Sequence, residues 1–144
     1  MKANNHVAKI REFNRFYTGV IGLLDKYILN SQYTLSEVRV LYELATRESL
    51  TASDLIETLH IDKGYLSRML LELKTKKLIR TKRSAQDGRA LQLSLTQLGR
   101  KEFKVLNQAS DRQLAAILES LTDTERGKLV RNMDEIKVIL SKTK

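Results

Sequence analysis

The chain has 144 residues, 42% of them hydrophobic, enough to bury one core and hardly two. With 26 Lys+Arg against 17 Asp+Glu, its formal charge of +9 points to an anionic partner, nucleic acid before a membrane surface or an acidic small substrate. Cysteine and proline are absent and glycine numbers six. That excludes disulfides, thiolate nucleophiles and Cys-ligated zinc, and leaves little material for a turn-rich all-β fold.

The N-terminus, Met1-Lys-Ala-Asn-Asn-His-Val7, lacks an apolar h-region, and no window approaches about 18 uncharged apolar residues, so neither a signal peptide nor a membrane span is expected. From Ile10 the residues Phe13, Phe16, Tyr17, Val20, Leu23, Leu24, Tyr27 and Ile28 recur at steps of three and four, which predicts a first helix over about 10–29. Thr34-Leu-Ser-Glu37 reads as a capping box that opens a second helix through Val38, Leu41, Leu44 and Ala45. Thr51-Ala-Ser-Asp54 repeats the signal for a short third helix, and Thr58-Leu-His-Ile61 supplies a turn before Asp62 caps a fourth. There the apolar stripe Leu66, Met69, Leu70 and Leu73 leaves Lys63, Ser67, Arg68 and Lys74 on or near the opposite face. Two short helices joined by a tight turn have the outline of a helix-turn-helix.

After Leu78 the period changes. Ile79–Arg83 and Ala90–Leu95 read as two strands, and the Asp-Gly of the connector 84–89 marks a hairpin, which in this position is a wing. Thr96 then caps a long helix through Phe103, Leu106, Leu114 and Leu118, and Thr122-Asp-Thr-Glu125 caps a last one through Leu129, Met133, Ile136 and Leu140. The expected fold is mainly α: a winged helix-turn-helix with a small β-hairpin wing and a helical body. One domain spans 1–144, its winged lobe over 34–95 flanked by helices over 8–30 and 97–141.

Between Lys74 and Arg89 stand seven Lys and Arg residues and the single acid Asp87. Alone such a run is often a solvated face, but at the end of a helix-turn-helix and along a hairpin it can meet consecutive phosphates. Candidate DNA contacts are therefore Lys63, Gly64, Tyr65, Ser67 and Arg68 on the recognition helix, Thr51 and Ser53 at the start of the helix before it, and Lys82 and Arg83 on the wing. Arg68 is suited to reading guanine bidentately. At the wing tip Asp87 would orient Arg89 toward the minor groove, where a guanidinium is favoured. Tyr65 has a competing reading as a core residue. Phe13, Phe16 and Tyr17 are read as core or subunit contact, or, with the hydroxyls of Tyr17, Tyr33 and Tyr42, as the wall of a small-molecule cavity.

His6 and His60 are the only histidines, too few for a typical zinc site, and no nucleophile elbow, phosphate loop or paired-carboxylate motif is present. No catalytic residue, metal or cofactor is expected.

The order of these elements, with Asp62-Lys-Gly-Tyr-Leu-Ser-Arg-Met69, Asp87-Gly-Arg89 and Leu93-Ser-Leu-Thr-Gln-Leu-Gly99, resembles the MarR family of winged-helix regulators over about residues 7–140. Arg11-Glu-Phe-Asn-Arg-Phe-Tyr17 and Ile21-Gly-Leu-Leu24 look more like the MarR-type half of proteins that continue into a GNAT-type acetyltransferase, although no acetyl-CoA site is expected within these residues. A cytoplasmic location is expected from the missing signal peptide and span, and the resemblance implies a homodimer on double-stranded DNA. Helix one and the last two helices would interleave as the dimer body, and the two lobes would bind a pseudo-palindromic operator. Many relatives are repressors released by small aromatic compounds. One departure is the wing loop, where Ser84-Ala-Gln86 stands in place of the family's common proline. Rival functions are the regulatory N-terminal half of an acetyltransferase fusion, or a helical adaptor that binds no DNA.

Overall fold

The computed structural model describes residues 2–22, 28, 29, 31–84, 88 and 90–143. Along the chain come α1 (Lys2–Val20), α2 (Leu35–Thr46), α3 (Ala52–Leu59), α4 (Lys63–Thr75), β1 (Ile79–Arg83), β2 (Leu91–Leu95), α5 (Gln97–Glu119), α6 (Asp123–Leu140) and a 3-10 turn at Ser141–Thr143. The chain divides into two compact units, Met1–Asn107 and Gln108–Lys144, with α5 running from the first into the second. Among the described residues no helix is long and apolar enough to cross a membrane.

The helix starts follow from side chains that satisfy the orphan N–H groups of a first turn. Thr34 Oγ1 accepts from Glu37 N at 3.2 Å while Glu37 Oε1 accepts from Thr34 N at 3.0 Å. Thr51 and Asp54 close the same reciprocal box on α3, and Thr122 and Glu125 close it on α6. These are the three boxes that the S/T-x-x-acid spacing predicts.

The core of the first unit gathers Tyr33, Val40, Leu41 and Leu44 around α2, Leu50 and Leu55 around α3, Leu66, Met69 and Leu73 on α4, Leu78, Ile79, Leu93 and Leu95 at the hairpin, and Leu106 on α5. β1 and β2 pair antiparallel from Ile79 opposite Leu95 to Arg83 opposite Leu91. Ahead of α3, Leu50 makes an isolated antiparallel bridge to Leu93, whose N–H donates to Leu50 O at 2.6 Å. The hairpin is thereby fastened, at the middle of β2, to the segment that leads into the helix-turn-helix.

The joint from α4 through β1 to α5 is tight. Lys77 takes a left-handed conformation with φ 62°, Lys77 N donates to Lys74 O and Leu78 N donates to Leu73 O. This is a Schellman ending whose accompanying apolar pair is Leu73 and Leu78, both buried. Thr96 Oγ1 donates to Lys77 O at 2.6 Å and accepts from Gly99 N at 3.0 Å, and Thr96 N donates to Leu78 O at 3.0 Å. A Cβ on Gly99 would run into the Leu78 carbonyl oxygen. The Leu-Thr-x-x-Gly run is thus a clamp: the threonine caps α5, and the glycine lets the helix backbone meet the end of α4.

The first helix differs from its predicted span of about 10–29. α1 begins at Lys2 and ends at Val20, because Gly22 adopts φ 70° and Ile21 N and Gly22 N bond back to Tyr17 O and Gly19 O. Apolar periodicity continuing past Gly22 hid this stop signal. Residues 23–27, which carried the rest of that pattern, lie outside the described residues. α1 buries none of its side chains.

In the second unit, Arg126 secures the turn between α5 and α6. Its Nε donates to Leu118 O at 2.8 Å and its Nη1 to Asp123 Oδ1 at 3.0 Å. α6 buries none of its residues, and Val130, Ile136, Val138, Ile139 and Leu140 are exposed.

Candidate nucleic-acid interface

The pair α3–α4 builds the most functional surface of the first unit. His60, exposed, ends α3 in the left-handed region with φ 52°, and Asp62 starts α4 by accepting from Tyr65 N at 3.0 Å. Leu66, Met69 and Leu73 bind α4 to the core. That fixes its rotation, so Lys63, Gly64, Tyr65, Ser67, Arg68, Leu71, Glu72 and Lys74 face outward. Tyr65, 41% exposed, stands at the surface and does not join the core.

Gly64 occupies the second position of α4. A Cβ there would come 3.2 Å from Asp62 Oδ2 and 3.7 Å from Arg68 Nη1, so the Arg68 guanidinium lies back along the first turn. Among the described residues Lys63, Arg68 and Lys82 form no ion pair. Their charge is therefore available to an external anion, near the positive end of a helix dipole in the case of Lys63.

Thr51 and Ser53 lie at the start of α3, Ser53 exposed and Thr51 half-buried. Thr51 Oγ1 accepts from Asp54 N, and its O–H is within bonding reach of the Asp54 carboxyl. The same cap holds the Asp54 carboxyl below its usual value, chiefly through the Thr51 backbone N–H, then the Thr51 side chain, with Arg47 adding a charge.

The basic segment 74–83 is partly anchored. Lys76 pairs with Glu72 at 3.4 Å and stands 5.5 Å over the Tyr33 ring. Lys74 Nζ donates to Thr81 Oγ1 and Arg80 Nε to Ser94 Oγ, both at 3.4 Å. Arg83 Nη1 donates to Gly88 O at 2.8 Å, fastening the wing connector with one of its five N–H groups. Lys82 is exposed between them. Asp87 and Arg89, expected at the wing tip, lie outside the described residues.

Of the aromatic residues considered for a ligand cavity, Phe13, Tyr17 and Tyr42 lie in two ring pairs and Phe16 in neither. Phe13 stacks on Tyr17 within α1, centroids 5.6 Å apart, and Tyr42 meets Phe103 at 6.2 Å. Among the described residues no ring contact joins the two pairs, and Phe13 and Phe16 are exposed. Among the described residues no three His, Cys, Asp or Glu side chains converge as metal ligands would.

Two features of this surface escaped the sequence reading. Leu71 is 67% exposed on the outer face of α4; its spacing of four from Ser67 and three from Arg68 was the available signal. Glu37 is the one described charged residue in the core. Its part in the capping box was legible, but its burial was not.

A family model for the MarR family matches residues 31–90, which span the helix-turn-helix and the wing. Comparison with curated protein sequences gives no match. Among solved structures the chain is similar to apo MarR from E. coli, with TM-score 0.74 and 22% identity over 88% of this chain and 94% of that one. It is also similar to FabT of Streptococcus pneumoniae, solved in complex with DNA, with TM-score 0.80 and 19% identity over 96% and 99% of the two chains. A third likeness is BpsR of Bordetella bronchiseptica, whose DNA binding is regulated by 6-hydroxynicotinic acid, with TM-score 0.69 and 20% identity over 88% and 96%. At these identities the likeness is one of fold.

Proposed function

We propose that this chain, a MarR-family protein through its match over residues 31–90, is a sequence-specific DNA-binding transcriptional regulator that acts as a homodimer and represses by covering a promoter. The observation that carries the reading is the outer face of α4, where Lys63, Ser67 and Arg68 are exposed on a helix held rigidly by Leu66, Met69 and Leu73. In this reading those three side chains meet base edges in the major groove and Gly64 and Tyr65 complete the contact surface. Thr51, Ser53, Lys82 and Arg83 hold phosphates, while Asp87 and Arg89 work the minor groove. The DNA-bound FabT structure and the ligand-regulated BpsR support this assignment by analogy of fold.

Residues 1–144 act as one MarR-like domain, with the helices over 8–30 and 97–141 as the dimer body. Support comes from apolar side chains left uncovered on α1 (Val7, Ile10, Phe13, Phe16) and, separately, on α6 (Val130, Ile136, Val138, Ile139), which a second copy would bury. A small aromatic effector, lodged against Phe13, Phe16, Tyr17 and Tyr42, relieves repression. The protein is non-enzymatic and works in the cytoplasm, as a chromosomal operator requires.

Selection of bound sites from random DNA tests the reading and returns the half-site. On that site Arg68→Ala should cost about 1–3 kcal/mol and flatten base discrimination, whereas Lys82→Ala should weaken cognate and random DNA alike. Equal losses on both DNAs from both substitutions would refute the assigned roles.

A further inference from the structure

On α4, Leu66, Met69 and Leu73 are buried and Leu70 packs against the same core, the i, i+3, i+4, i+7 spacing of one helical face. The same spacing moved back by two residues, about 200° around the axis, gives Gly64, Ser67, Arg68 and Leu71, all exposed. Leu71 thus shares with Ser67 and Arg68 the stripe that points away from the core. It is 67% exposed, and among the described large apolar residues only Phe16, on α1, matches it.

The rest of the face indicates what covers this leucine. Apart from Tyr65, no other large apolar side chain of α4 is exposed, so the face lacks the apolar area of a protein-docking patch. Lys63, Ser67, Arg68 and Lys74 are exposed on the same helix, and its one acid, Glu72, is paired with Lys76 at 3.4 Å. A lone apolar side chain on a basic, hydroxyl-bearing face suits a polyanion with small apolar islands. In the major groove of DNA those islands are the C5-methyl groups of thymine. Leu71 lies about 6 Å beyond Ser67 along the helix axis, less than two base-pair steps of about 3.4 Å, so a helix that sets Ser67 and Arg68 against bases brings Leu71 to the next pairs.

We infer that Leu71 is a specificity-determining residue that reads thymine by packing its side chain on a C5-methyl group in the major groove. The inference rests on the DNA-binding reading of α4 and adds a contact that neither charge nor hydrogen bonding supplies.

The test starts from the half-site that the full-length protein selects from random DNA. Each thymine in it is replaced in turn by deoxyuridine, which keeps every hydrogen-bonding group and removes only the C5-methyl, and binding is read by fluorescence anisotropy. Wild type should lose about fourfold at one thymine, the effect of uncovering one methylene-sized apolar group. Leu71→Ala should bind the thymine site more weakly and bind the thymine and deoxyuridine sites equally, with an unchanged melting temperature because Leu71 lies outside the core. Lys82→Ala, assigned to a phosphate, should keep the fourfold difference, which separates a methyl contact from a general loss of affinity. A half-site with no methyl-sensitive thymine, a sensitivity that survives in Leu71→Ala, or a Leu71→Ala protein that binds like wild type would overturn the inference and leave the DNA-binding reading standing. Failure to select any site would refute that reading, and this inference with it.

Discussion

Gly99 allows α5 to begin where it does. A methyl group there would meet the Leu78 carbonyl, and Leu95 Cδ2 lies 3.3 Å from the same point, so neither backbone nor core can yield cheaply. Gly99→Ala should therefore destabilise the protein by about 1–3 kcal/mol despite alanine's better helix propensity, read as a lower urea midpoint. Tyr33 makes a second prediction. Burial first, and then its 3.1 Å hydrogen bond to Glu102, push the phenol up to about 12 from 10. The unfolded chain thus ionises before the folded one. The contribution of Tyr33 is intact below pH 10 and is lost as pH rises through 12. Melting curves between these values should fall more steeply for wild type than for Tyr33→Phe, which has no proton to lose; parallel curves would show that Tyr33 is not the responsible group.

At the scale of elements, the ending of α4 is built around a lysine where glycine is the usual occupant. Lys77 sits at φ 62°, a conformation that costs a side-chain-bearing residue about 1–2 kcal/mol. Lys77→Gly should stabilise by about 0.5–1 kcal/mol after the added freedom of the unfolded chain is subtracted, measured by urea unfolding. Such local grammar decided how much was legible from sequence. The capping boxes at Thr34, Thr51 and Thr122, the Asp62 cap and the buried stripe of α4 follow from short-range spacing, because each is closed by residues three or four apart, and both strands follow from the change of period and the Asp-Gly turn signal between them. The Leu50–Leu93 bridge, the burial of Glu37 and the meeting of Gly99 with Leu78 join residues far apart in sequence, and no local pattern encodes them. α1 illustrates the opposite failure, an apolar period that outran a glycine stop at Gly22. The outward faces of Lys63, Ser67 and Arg68 could be read from the same stripe that buries Leu66 and Met69. What those faces touch could not, since a solvated cation and a phosphate-binding one share one sequence.

For the whole molecule, the proposed homodimer doubles the basic surface, and salt is its most direct probe. The logarithm of the DNA association constant should fall against the logarithm of salt concentration with a slope of about −5 or steeper, measured by filter binding. A slope near −1 would mark the basic segment as a solvated face. The same charges have a consequence that has nothing to do with DNA. A two-stranded ribbon exposes two lines of unpaired N–H and C=O groups, and each is a template on which another chain could zip itself into a growing sheet. On the β2 side, the bond from Leu93 to Leu50 breaks that line at its middle. On the β1 side among the described residues no strand covers the edge, yet Arg80, Lys82 and Arg83 stand along it. Two copies approaching edge to edge would bring six positive charges together, so the guard of β1 is mutual repulsion, and it weakens whenever polyanions or concentrated salt neutralise it. The basic charge that we propose meets a phosphate backbone also keeps the wing from grasping its own kind.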